Sequence, residues 1–132
     1  MTLPLTDDLR LLLTQASPCS IATLLPDGSP HLTQVWVDGD GDHILVNSVD
    51  THQKVRNVRR DPRVALTVLD PADPSRYVGV RGRVVEVTTD GATEHIDKLS
   101  MKYGGQLYPM HEPHNPRIIV RIQPEDVTAM GV

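Results

Sequence analysis

The sequence contains no phenylalanine, and its aromatic residues are one tryptophan and three tyrosines among 132 residues. A core built with so few rings must be filled by Val, Leu and Ile, and the β-branched members of that set favour the pleated surface of a sheet. The shortage also removes the stacking platforms that single-stranded nucleic acid needs. A net charge of −4 removes the cationic coat that a duplex needs. With a single cysteine, Cys19, there is no intramolecular disulfide. Cys19 stands in the apolar run Cys-Ser-Ile-Ala-Thr-Leu-Leu, where a small core residue is the commoner reading than a nucleophile. No apolar run approaches the ~20 residues required to span a bilayer. The N-terminus lacks a basic segment leading into an apolar one with a cleavage site, so the expectation is a cytoplasmic protein with no membrane or nucleic-acid partner. Also missing are a Gly-rich dinucleotide fingerprint, a P-loop, a nucleophile elbow and an HExxH helix. Residues 1–132 are expected to form one domain, long enough for a core without staples.

What the chain does have is a local concentration of positive charge. Between Lys54 and Arg63 lie Lys54, Arg56, Arg59, Arg60 and Arg63 against one acid, Asp61, so this segment carries +4 and the remainder −8. It falls inside the stretch Ile44 to Leu69, which reads as strand, polar corner, short helix, Pro-marked break and strand. Such an island on an acidic protein fits a local anionic ligand such as a phosphate, and it equally fits a solvated helix face.

In chain order, Leu5, Leu9, Leu12, Leu13 and Ala16 share one helical face between Leu3 and Ala16, with Thr6-Asp7-Asp8 as the start signal. Cys19–Leu25 and His31–Asp38 read as strands around the turn Pro26-Asp27-Gly28-Ser29. In the second of them Leu32, Gln34 and Trp36 alternate with Thr33, Val35 and Val37. Asp38 to Asp42 reads as the next turn, and it is not a calcium loop, because the position where an EF-hand places its Glu is Val49. His43–Val49 is the third expected strand. Asp50-Thr51 is the expected cap of a helix over Thr51 to Arg59, with Lys54 and Asn57 together on one face. Arg63–Leu69 and Tyr77–Thr89 follow as strands, and Gly79 and Gly82 in the latter predict a bulge or a close approach. Asp90 to Lys102 reads as a helix capped by Asp90 and stopped by Gly104-Gly105. After the irregular stretch Leu107 to Pro116 come Arg117–Ile122 and a short strand over Val127–Met130. Six or seven antiparallel strands on short turns, with two or three helices outside, predict a mainly β fold, a small barrel.

The chemistry in the sequence is diffuse. His111 and His114 have the spacing HxxH, which takes a metal only where a third ligand approaches, and no metal site is expected. Trp36 is more often core than ligand platform, although its neighbour on that face is the polar Gln34. The corner after the third strand is better placed: Asn47-Ser48 ends a strand, Thr51 opens a helix, and Lys54 and Asn57 lie one turn inside. Hydroxyls, free amides and an ammonium can converge there on one phosphate.

Taken in order, the Asp-Gly turn, the strand Leu-Thr-Gln-Val-Trp, a strand ending Val-Asn-Ser, Thr-His-Gln-Lys-Val-Arg-Asn-Val-Arg-Arg-Asp-Pro-Arg-Val-Ala, then Tyr-Val-Gly-Val-Arg-Gly-Arg-Val form a recognisable set. Further pieces are Lys-Tyr-Gly-Gly-Gln-Leu-Tyr-Pro (Lys102–Pro109) and the closing Arg-Ile-Ile-Val-Arg-Ile-Gln-Pro-Glu-Asp-Val. From about Leu9 onward the chain resembles the pyridoxamine 5'-phosphate oxidase-like split β-barrels, and within them the branch that uses the deazaflavin coenzyme F420. The resemblance implies an FMN-binding type of split barrel, a homodimer with cofactor at the subunit interface, and a reductase acting on a small electron-poor substrate. It places Thr33, Gln34, Val35 and Trp36 along the ring, with Asn47 and Ser48 continuing that wall. Thr51, His52, Lys54, Arg56 and Asn57 fall at the phosphate and the start of the tail, and Tyr77 at the margin. The second strand has no Arg or Lys, and the chain ends Met-Gly-Val, which departs from the B6 oxidases. FMN in place of F420, or a carrier that binds flavin, deazaflavin or haem without turnover, are the alternatives.

Overall fold

Helix α1 (Asp7–Thr14) starts where the sequence signals it: Thr6 Oγ1 accepts the Leu9 N–H at 3.2 Å, and Asp7 and Asp8 occupy the positive end of the helix. These positions come from a computed structural model, which describes residues 5–112 and 114–131; Leu3, the expected start of this helix, lies outside them. The helix stops two residues before Ala16, because Gln15 turns extended and Ser17 Oγ donates back to the Leu12 carbonyl at 2.6 Å.

Seven strands follow: β1 (Cys19–Leu24), β2 (Pro30–Val35), β3 (Val37–Asp40), β4 (His43–Val49), β5 (Arg63–Asp70), β6 (Asp73–Thr88) and β7 (Arg117–Met130). Helix α2 (Gln53–Arg60) lies between β4 and β5, and α3 (Ala92–Gly104) between β6 and β7. All pairings are antiparallel, in the order β2-β1-β5-β6-β7-β4-β3. The two edges of this sheet, β2 and β3, are consecutive in the chain and separated by Trp36 alone. A seven-stranded sheet whose edges are tied by one residue has to curl until they meet. The result is a split β-barrel.

The interior is aliphatic, as the shortage of rings demands: Ile21, Val46, Leu66, Val68, Val78, Ile118 and Ile122 pack inside, with Leu9 and Leu13 from α1 and Val55 from α2 against them. Several boundaries differ from expectation for physical reasons. The single strand His31–Asp38 is two strands, because the chain changes partner at Trp36, from β1 to β4. Asp38 is therefore a buried strand residue and no part of the turn. Thr51 does not cap α2; His52 occupies the cap position without a side-chain bond. Asp90 does not cap α3 either, since Gly91 takes that place in the left-handed conformation, whereas Gly105 closes the helix as expected with its N–H on the Met101 carbonyl. The two last expected strands are one continuous β7. Pro124 is accommodated within it because it faces Gly82, where the β6 register shifts.

That bulge depends on Gly82. A Cβ there would run into the Gln123 carbonyl oxygen of β7, a backbone atom that has nowhere to go. Gly82→Ala is expected to cost about 2 kcal/mol and to lower the melting temperature by ~5–10 °C. An unchanged thermal transition would show that the bulge relaxes freely.

Candidate functional site

The change of partner at Trp36 opens a cavity of about 450 Å³ between the β2–β3 junction, the end of β4, the start of α2, and α3. Its first wall is aromatic. Trp36 stacks on Tyr103 of α3 with ring centroids 5.3 Å apart and planes 11° from parallel. Tyr103 is bolted in place: its hydroxyl donates to the Ser17 carbonyl at 2.7 Å and accepts the Val37 N–H at 3.1 Å. Burial pushes its phenol up to about 12. Beside it, Lys102 Nζ donates to the carbonyls of Leu13 and Val37, which ties α3 to α1 and to the strand break. Tyr108 completes the wall, so three of the four aromatic residues in the chain face one cavity.

The rest of the lining is polar and cationic. Ser48 Oγ lies 2.9 Å from His52 Nδ1. Burial, and then the charges of Lys54 and Arg117, lower the pKa of His52 and keep the ring uncharged at neutral pH. Lys54 is half-buried and, among the described residues, makes no hydrogen bond or ion pair. Burial, reinforced by Arg117, lowers its pKa. Arg117, the first residue of β7, donates through Nε to Asn47 Oδ1 at 2.8 Å and lies 5.0 Å over the Tyr108 ring. Burial lowers its pKa as well. Among the described residues, no Asp or Glu lines the cavity. Two half-buried cations thus share a pocket that supplies no counter-charge.

Of the residues expected from sequence, the structure brings Gln34, Val35, Trp36, Asn47, Ser48, His52 and Lys54 together in this lining. Five lie elsewhere. Thr33 sits on the opposite face of β2 from Gln34, with its hydroxyl buried and without a partner. Thr51 is exposed and donates to Asn115 Oδ1 at 3.1 Å. Arg56 turns back onto the Thr51 carbonyl and Gln53 Oε1. Tyr77 lies in β6, paired with Leu69 and Met130. Asn57 is fully buried, donating to Thr23 Oγ1 at 3.0 Å and accepting from Gln53 and Arg60. The basic island dissolves in the same way: Arg59 pairs with Asp50, Arg63 with Asp61, and Arg60 donates to the Leu24 carbonyl. Lys54 alone of the five faces the cavity.

Arg117, Tyr103 and Tyr108 also line the cavity, and none of them is individually expected there from the sequence. A signal existed for the tyrosines, since any ring is conspicuous in a chain with four. His111 of the HxxH pair is engaged by Asp97, Nε2 to Oδ1 at 3.0 Å, and among the described residues no three metal-ligating side chains converge.

The model of the pyridoxamine 5'-phosphate oxidase family matches residues 5–131. The chain belongs to this family. Its members are flavin-binding oxidoreductases, and as a group they take flavins or deazaflavins. A solved structure described as an F420 reductase is 30% identical, with a TM-score of 0.79 over 94% of this chain and 98% of that one. A conserved hypothetical protein from Mycobacterium tuberculosis has the same fold at 24% identity and TM-score 0.73, covering 98% of this chain and 86% of its own. General Stress Protein 26 from Bacillus anthracis shares it at 16% identity and TM-score 0.70, over 91% and 88% of the two chains. No curated protein matches the sequence. Among the described residues, no helix of this family member is long and apolar enough to cross a membrane.

Proposed function

We propose that the chain is a reductase that binds coenzyme F420 and delivers a hydride to a small electron-poor organic substrate. One observation carries this reading: a cavity lined both by stacked aromatic rings and by two cations that have no carboxylate partner. That pairing fits a planar ring bearing a phosphate tail, and the kinship with the F420 reductase supports the deazaflavin over other rings. The ring would lie along Gln34, Val35 and Trp36, with Asn47 and Ser48 at its edge, and Lys54, Arg117 and the uncharged His52 would hold the phosphate. A smaller adjoining cleft of about 180 Å³ shares His52, Tyr108 and Arg117 with the cavity and includes Asn115, the partner of Thr51. This cleft is the proposed route of the tail, with Thr51 beside it and Arg56 held on the Thr51 carbonyl. A second copy of the chain would close the open side, as family members are generally dimeric. Thr33, whose hydroxyl is buried, would contribute through its backbone, and Tyr77 is the proposed contribution across that interface.

When bound, the reduced deazaflavin supplies the hydride, and the protein supplies position, electrostatics and exclusion of water. No side chain of the pocket is assigned as acid or base. Cys19 is buried and its thiol is pushed up to about 12, which excludes a thiolate; the Tyr103 phenol stays protonated for the same reason.

Trp36 is the one tryptophan of the chain and lies in the wall, so its fluorescence reports directly on occupancy. Titration with F420 is expected to quench it at a dissociation constant at least about tenfold below that for FMN, a difference of ~1.4 kcal/mol. FMN offers the same combination of ring and phosphate. Tighter binding of FMN, with the protein purifying yellow, would replace this reading by an FMN oxidoreductase. Tight F420 binding without turnover on quinones and enones would make the protein a carrier.

A further inference from the structure

Behind the cationic wall runs a buried chain of polar groups that the proposed chemistry does not use. His95, in α3, is 8% exposed and lies between Asp38 of β3 and Asn47 of β4. Its Nε2 is 3.2 Å from Asp38 Oδ2, and its Nδ1 is 3.1 Å from Asn47 Nδ2. Asn47 Nδ2 also donates to the Ala92 carbonyl at 2.9 Å, and Asn47 Oδ1 accepts Arg117 Nε at 2.8 Å. Lys98 Nζ donates to the same oxygen, Asp38 Oδ2, at 3.1 Å, and the Gly39 N–H donates to Oδ1 at 2.9 Å. Burial pushes the Asp38 carboxyl up, but these bonds outweigh it and keep the group ionised far below the usual carboxylate range.

The direction of every bond in this chain is forced. Turning the Asn47 amide over would press its oxygen against the Ala92 carbonyl and set its NH₂ against the Arg117 N–H. The amide nitrogen must therefore face His95, which requires a bare lone pair on His95 Nδ1. That leaves the ring proton on Nε2, where the Asp38 carboxylate receives it. From these bonds we infer that His95 is a positioning residue of the anion pocket: with its tautomer fixed by Asp38, it orients the Asn47 amide, and the amide aims the Arg117 guanidinium at the phosphate. The geometry is that of a metal-ligand histidine with its carboxylate behind it, here with a side-chain amide and a guanidinium as the oriented groups.

The inference rests on the phosphate pocket proposed above, and the experiment separates the two. The probes are F420 and the same ribityl deazaflavin without the phosphate-bearing tail, or FMN and riboflavin if FMN is the tighter ligand. The readout is the ratio of the two affinities, with the melting temperature of every variant measured alongside. The wild type is expected to favour the phosphorylated ligand by about 30-fold or more. His95→Leu removes the acceptor for Asn47 and is expected to reduce that preference about tenfold, with affinity for the phosphate-free ligand unchanged. His95→Asn restores an acceptor near the place of Nδ1 and is expected to keep the preference, which loss of packing alone does not explain. Asp38→Asn, which offers Nε2 a donor as readily as an acceptor, is expected to lower the preference severalfold. A full preference in folded His95→Leu, or in Asp38→Asn if His95→Leu does not fold, overturns the inference. A wild type with no preference for phosphate overturns the pocket itself.

Discussion

Lys54→Ala is expected to weaken cofactor binding by ~30–100-fold and to leave the melting temperature unchanged or slightly higher. A charge-assisted hydrogen bond to a phosphate is worth about 2–3 kcal/mol, and each 1.4 kcal/mol is roughly tenfold in affinity. The second half of the expectation distinguishes a ligand-binding lysine from a structural one. Lys54 is half-buried beside Arg117 with no partner among the described residues, so the folded protein disfavours its charged form. With the folded pKa below its ordinary value, the unfolded chain binds more protons between the two, and stability rises as pH rises through that alkaline window. Lys54→Ala should remove this slope, and Lys54→Met, which keeps the aliphatic stem, should do so without loss of packing. Isothermal titration with F420 and thermal unfolding across alkaline pH read the two effects separately. Unchanged affinity with a lower melting temperature would make Lys54 a structural residue and leave the anion pocket to Arg117 and His52.

Much of this arrangement is legible in the sequence, and what is not has a common cause. Strands and turns follow from local alternation and from turn chemistry, and Gly82 marks its own bulge. The break at Trp36 is invisible because alternation continues through it: Gln34 and Trp36 stay in phase although the chain exchanges one partner strand for another. The site separates along the same line. Asn47 to Lys54 are near one another in the chain and read as one polar corner, whereas Gln34 to Trp36 join them only through the family resemblance. Tyr103, Tyr108 and Arg117 reach the cavity only because α3 packs on the strand break and β7 pairs with β4. The charge count misled for a related reason. A net +4 says nothing of partners, and Asp50, Asp61 and backbone carbonyls take up four of the five basic groups. The cation of the segment proposed to bind phosphate is the one without a partner among the described residues, and its proposed companion, Arg117, comes from the far end of the chain.

Asn57→Ala is expected to do the reverse of Lys54→Ala: a loss of about 3 kcal/mol in stability with little change in cofactor affinity for the molecules that remain folded. Asn57 is 0% exposed, one turn beyond Lys54, and its amide is the latch between α2 and β1. Truncation leaves the hydroxyl of Thr23, itself 1% exposed, without its donor, at about 1–3 kcal/mol. It also removes the acceptor that Gln53 and Arg60 share, although Arg60 retains the Leu24 carbonyl. The space left by the side chain adds ~1 kcal/mol. For a chain of this length the sum corresponds to a fall of roughly 10 °C or more in melting temperature. Affinity is spared because the amide faces the sheet and not the cavity; its part in the site is to keep α2, and with it His52 and Lys54, at the rim. Denaturant unfolding gives the stability change, and the Trp36 titration at low temperature, where the variant is still folded, gives the affinity. A large loss of F420 affinity at unchanged stability would return Asn57 to direct contact with the phosphate and would require α2 to turn about its axis on binding.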